Sequence, residues 1–101
     1  MIVATVLYKT GVEFDQSYYE TKHMQLVKDK LTPLGMKSYE ARKVVGTADG
    51  STPPYQVIFS MYFDSMDALQ AAMQHPDMGI VGGDIPNFYK SNPEILIGET
   101  A

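Results

Sequence analysis

Apolar and polar positions along this chain fall into runs with two periods, one near two residues and one near three and a half. Ile2 to Tyr8 is rich in β-branched residues and stops short of Gly11, which predicts a strand. Both of its alternating sets, Ile2/Ala4/Val6/Tyr8 and Val3/Thr5/Leu7, are largely apolar. Such a strand is expected to be covered on both faces. Asp15 stands where an N-cap belongs, and the spacing predicts a helix to about Leu31, ended by "TPLG". Its apolar positions are Phe14, Tyr18, Tyr19, Leu26, Val27 and Leu31, and His23 falls on that stripe or its edge.

Ser38 to Val45 reads as a strand with one more polar face, suited to a sheet edge, and "GTADGSTPP" reads as a turn-rich loop. Tyr55 to Phe63 is the strongest strand signal, with Tyr55, Val57, Phe59, Met61 and Phe63 on one face. "DSMDALQAAMQH" opens on Asp64 and Ser65 as cap candidates, carries good helix formers, and is expected to end at Pro76. "GIVGGDIPNFY" reads as a flexible segment, though it carries Ile80, Val81, Ile85 and Phe88. Glu94 to Gly98 is a last short strand.

The order strand, helix, strand, strand, helix, strand predicts an α+β, ferredoxin-like βαββαβ domain over residues 1–101. Its four-stranded antiparallel sheet would carry two helices on one face. The other face then needs a cover, and the simplest is the same face of a second copy. A homodimer packed sheet to sheet is the expectation.

Composition narrows the function classes. A net charge of −4, with scattered Lys and Arg, argues against a nucleic-acid partner. The chain has no cysteine, which excludes disulfides, thiolate nucleophiles and zinc–thiolate sites. "MIVATVLYKTG" has no positive stretch before its apolar run, and no run is long enough to span a bilayer. The expectation is a cytoplasmic protein without a membrane partner. No HxH or HExxH spacing exists, so no metal site and no cofactor are expected.

Among candidate chemical groups His23 comes first, because imidazole serves as general base or hydrogen-bond donor near neutral pH. On pattern alone, a satisfied core histidine is an equal reading. Seven tyrosines against four phenylalanines place many hydroxyls near a small core. Tyr8, Tyr39, Tyr55 and Tyr62 lie on predicted strands and Tyr19 one helical turn before His23. Some of these are expected to line a pocket for a small oxygenated ligand. Asp84 in "GGDIPNF" either caps a turn or orients a histidine. His75 is expected to close a helix as a cation at its C-terminus.

The pattern "F-D-x-x-Y-Y-x-x-x-H-M-x-L-V" from Phe14 to Val27 resembles the signature of EthD-like proteins. "YQVIFSMYFDSMDALQAAM" and "DIPNFYKSNPEILIGE" resemble that family's third strand with its second helix, and its closing segment. The family is named for an ethyl tert-butyl ether degradation operon and belongs to the dimeric α/β-barrel superfamily. The resemblance implies a ferredoxin-like subunit dimerised through its sheet. His23 would be the family histidine in a cleft between sheet and helices, and Asp84 and Phe88 would match the closing motif. It further implies a small-molecule-binding protein, with cofactor-independent proton-transfer or oxidative chemistry among the superfamily's activities. A non-catalytic binding or accessory protein is the competing reading, and a purely structural dimer the third.

Overall fold

The computed structural model describes residues 1–101. Four strands, β1 (Ile2–Lys9), β2 (Ser38–Lys43), β3 (Tyr55–Phe63) and β4 (Glu94–Glu99), form one antiparallel sheet in the order β2-β3-β1-β4. β1, apolar on both sides, lies in the centre beside β3, and β2 and β4 lie at the edges. Cross-strand partners share a face. Ile2/Phe63, Ala4/Met61, Val6/Phe59 and Tyr8/Val57 therefore present one continuous apolar surface to the helices. The opposite face carries Val3, Leu7, Ile58, Tyr62 and Leu96, with Leu96 61% exposed.

Asp15 caps the first helix as expected, its Oδ1 accepting the Tyr18 N–H at 3.0 Å. The helix is not uniform. α1 (Gln16–Tyr18) and α2 (Met24–Leu31) are joined by a π-helical turn, Tyr19–His23, in which the Met24 N–H donates to the Tyr19 carbonyl. Tyr19, His23, Val27 and Leu31 are all buried, each four residues from the last. In a pure α-helix that spacing drifts by about 40° per step, at 3.6 residues per turn. The wider π turn offsets the drift and keeps one ridge against the sheet. Gly35 ends this region at φ 110°, a left-handed conformation that favours glycine.

The second helical region departs from the sequence expectation. α3 (Met66–Gln74) starts at Ser65, whose side chain accepts the Ala68 N–H. Pro76 does not simply end helical structure. It opens α4 (Pro76–Gly83), so much of the segment expected to be flexible is a helix. Proline suits a first helical position because the N–H it lacks would have no partner there. His75 closes α3 as expected, its backbone N–H donating to the Ala72 carbonyl at 3.1 Å, and it also opens the next helix, its Nδ1 accepting the Asp77 N–H at 3.1 Å as the cap of α4. The helix layer thus has more pieces than the two helices expected. No helix is long and apolar enough to cross a membrane.

Candidate functional site

Helices on one side and β1 and β3 on the other line a cavity of about 210 Å³ that opens to the surface. Val6, Phe59 and Met61 form its floor from the sheet, and Val27 and Leu31 of α2 one wall. Met78, Val81 and Gly82 of α4 form another wall, with Met73 and Ile95 at the exposed rim. The polar side chains on this surface are His23 and Tyr8, and no Lys, Arg, Asp or Glu lines it.

His23 is 3% exposed and is held from outside the cavity. Its Nδ1 lies 2.8 Å from Asp84 Oδ2. The other carboxylate oxygen, Oδ1, accepts the Tyr18 hydroxyl at 2.6 Å and the Asn87 Nδ2 at 2.9 Å. Asn87 Nδ2 also donates to Tyr18 Oη at 3.2 Å. The end of α4 and the following 3-10 turn, Ile85–Asn87, bring Asp84 and Asn87 to this point, three residues apart. The His23 ring packs at 4.4 Å from Phe88 and stacks at 5.6 Å on Tyr19.

The electrostatics follow from this geometry. Burial lowers the His23 pKa, and the hydrogen bond and charge of Asp84 offset only part of that, so the ring is neutral near pH 7. Burial works to raise Asp84, but the Tyr18, His23 and Asn87 donors outweigh it and hold the acid below its ordinary pKa. An ionised carboxylate only accepts, so the hydrogen of neutral His23 resides on Nδ1. Nε2 is left with a free lone pair and has no protein partner.

Beyond Phe88 the site merges into a closed aromatic cluster. Tyr8, Phe14, Tyr19, Phe88 and Tyr89 meet mostly edge to face at 5.0–6.1 Å. A register shift between Tyr8 and Lys9 frees the Lys9 N–H, which donates to Tyr89 Oη at 3.0 Å. Burial pushes the Tyr8 and Tyr19 hydroxyls well above the usual phenol pKa, so both stay protonated. The Tyr19 hydroxyl is buried without a partner.

The structure brings His23, Asp84, Tyr8, Tyr19 and Phe88 together from the sequence candidates. It leaves three tyrosines apart. Tyr39 sits 37% exposed on edge strand β2, 6.1 Å from the Phe59 ring. Tyr55 donates its hydroxyl to Glu94, which also meets Lys9 at 3.4 Å. Tyr62 is on the sheet face turned away from the helices. Sequence reasoning missed Tyr18 and Asn87 as site residues. The Asp84-x-x-Asn87 spacing at a proline turn was a usable signal for Asn87. Nothing local pairs Tyr18 with a residue 66 positions away. No three His, Asp or Glu side chains gather as a metal site.

Fold and site together define a ferredoxin-like α+β domain with an apolar helix–sheet cavity and a buried His–Asp pair. The EthD domain family model matches residues 9–92. The chain is similar to an EthD-like protein from Ralstonia eutropha at 31% identity and TM-score 0.82, covering 97% of this chain and 89% of that one. It is similar to an EthD family protein from Bacillus halodurans at 23% identity and TM-score 0.82, covering 100% and 99%. A dimeric ferredoxin-like protein from a Jannaschia species shares the fold at 17% identity and TM-score 0.68, covering 98% of each chain. Among curated proteins none matches. The chain belongs to the EthD family.

Proposed function

We propose that this protein is a homodimeric small-molecule-binding member of the EthD family whose cavity takes a small hydrophobic, oxygenated compound. His23 acts there as proton acceptor or hydrogen-bonding anchor. The observation that carries this reading is an imidazole oriented by Asp84 in the wall of a largely apolar cavity of about 210 Å³. Concave, apolar sites with few convergent polar groups suit small ligands. Where the bound compound is a substrate, a positioned histidine contributes about 10²–10⁴-fold by proton transfer. Asp84 then orients the ring and stabilises the imidazolium as it forms.

Toluene is the probe for the cavity. With methionine methyls labelled for NMR, it is expected to shift Met61 and Met78 saturably and to leave Met1 and Met66 unmoved. Met61 and Met78 line the cavity, whereas Met1 and Met66 are exposed outside it. Absence of a saturable shift at Met61 and Met78 overturns the reading.

The dimer is supported by the apolar sheet face that no helix covers and by the Jannaschia relative, which is dimeric. Sedimentation at micromolar concentration is expected to give twice the 11.2 kDa chain mass. Leu96→Lys should shift the equilibrium to monomer. A monomeric wild type overturns the proposed assembly and leaves the cavity reading standing.

A further inference from the structure

We propose that the cavity selects an uncharged, single-ring-sized molecule that donates an acidic O–H to His23 Nε2, and that Tyr18 and Asn87 impose this selectivity by holding Asp84 in place. The inference rests on the cavity reading above and adds ligand class and two positioning residues to it.

Both oxygens of Asp84 are engaged: Oδ2 by His23 Nδ1 at 2.8 Å, and Oδ1 by Tyr18 at 2.6 Å and Asn87 at 2.9 Å. With Oδ1 committed to two donors, the carboxylate cannot rotate away from the ring. Its fixed acceptor oxygen keeps the hydrogen on Nδ1. His23 lines the cavity with Nδ1 committed to Asp84, so Nε2 is the ring nitrogen left for a ligand, and its lone pair is satisfied by a hydroxyl donor and repels an ether or ketone oxygen. Tyr8, the other polar side chain in the wall, carries a hydroxyl that can donate or accept, so it does not discriminate.

Charge is excluded for a separate reason. The wall holds no Lys or Arg, and the Asp84 charge stands directly behind the imidazole. A bound anion would lose its hydration and gain no cation. Size follows from volume. A cavity of about 150 Å³ holds benzene, so about 210 Å³ admits one ring with a small substituent.

The test titrates the intact protein at pH 7.5 with p-cresol, 4-methylanisole and p-toluate, read by the Met61 and Met78 methyls. Toluene serves as the reference for cavity occupancy. Imidazole ¹⁵N shifts report the His23 tautomer. Wild type should show Nδ1 protonated, p-cresol binding about tenfold more tightly than 4-methylanisole, and no p-toluate binding. Tenfold corresponds to the gain of one hydrogen bond over an unsatisfied acceptor. Asp84→Asn offers its amide to Nδ1, moves the hydrogen to Nε2 and should bring the cresol-to-anisole ratio close to one. Tyr18→Phe combined with Asn87→Ala should lower that ratio at least threefold and raise the Nε2–H population. Tyr18→Phe alone should move both readouts the same way by less, which serves if the double variant does not fold.

Equal wild-type affinity for p-cresol and 4-methylanisole overturns the inference while toluene binding leaves the cavity reading intact. A toluene titration without saturation overturns both. An unchanged tautomer in the Tyr18 and Asn87 variants removes those residues from the selectivity.

Discussion

One face of the same two strands meets the helices in two different ways. At the Tyr8 end, five aromatic rings pack against one another at centroid distances of 5.0–6.1 Å, mostly edge to face. At the Met61 end, aliphatic and methionine side chains line a cavity of about 210 Å³. Rigid rings tile a surface by edge-to-face contact. Methionine, flexible and unbranched, bounds a space without filling it and can adapt to an occupant. His23 sits at the seam, with Tyr19 and Phe88 on the closed side and the cavity on the other. The closed end is the support that holds the ring, and the open end is where the ring can act.

Removing a ring from the closed end tests this division most severely. Phe88→Ala is expected to cost about 3–5 kcal/mol of folding stability. Met73→Ala at the exposed rim should cost about 1 kcal/mol or less. Urea unfolding of both variants gives the comparison, and equal losses would erase it.

Acid tests the seam. The folded His23 pKa lies below its ordinary value near 6.5, so the unfolded state binds the proton more tightly. Stability is therefore fully present above that ordinary value and falls as pH drops through and below it. Asp84 adds a second decline as pH falls through the carboxylate range, because its folded pKa also lies below the ordinary one. Urea midpoints measured between pH 7.5 and 5.5 should fall in wild type and fall less in His23→Gln. A flat wild-type profile would contradict the buried, neutral ring.

The smallest effect comes from the open end. A Cβ at Gly82 would meet nothing within 4 Å, and Gly82 lies in α4 on the cavity wall with an ordinary helical conformation. Gly82→Ala should stabilise the fold by roughly 0.5–1 kcal/mol through helix propensity. It should also weaken toluene binding by narrowing the space. Thermal unfolding and the methyl titration read the two effects separately.

Much of the fold was legible because it rests on short-range periodicity. The two-sided apolar pattern of Ile2–Tyr8 marked a central strand, the alternation in Tyr55–Phe63 marked another strand, and Asp15 and Ser65 announced their helices. Two features escaped that logic. The π turn at Tyr19–His23 answers to burial against the sheet, which adds up over successive turns from Tyr19 to Leu31 and has no local signature. α4 was hidden because its glycines mimic a loop, whereas Pro76 and the His75 cap make it a helix.

The candidate site divides the same way. Sequence alone determined that His23 lies on the inward stripe, that Asp84 is available as an acid, and that no thiol or basic cluster competes with them. Tertiary structure decided which tyrosines lie beside His23 and the cavity. Tyr39, Tyr55 and Tyr62 resemble Tyr8 in any local window, yet strand position and sheet face send them elsewhere. It also decided that Asp84 meets His23 across 61 residues and Tyr18 across 66. Hydrophobic period is set by neighbours in the chain, whereas the direction of a proton on an imidazole is set by a carboxylate that only folding brings near.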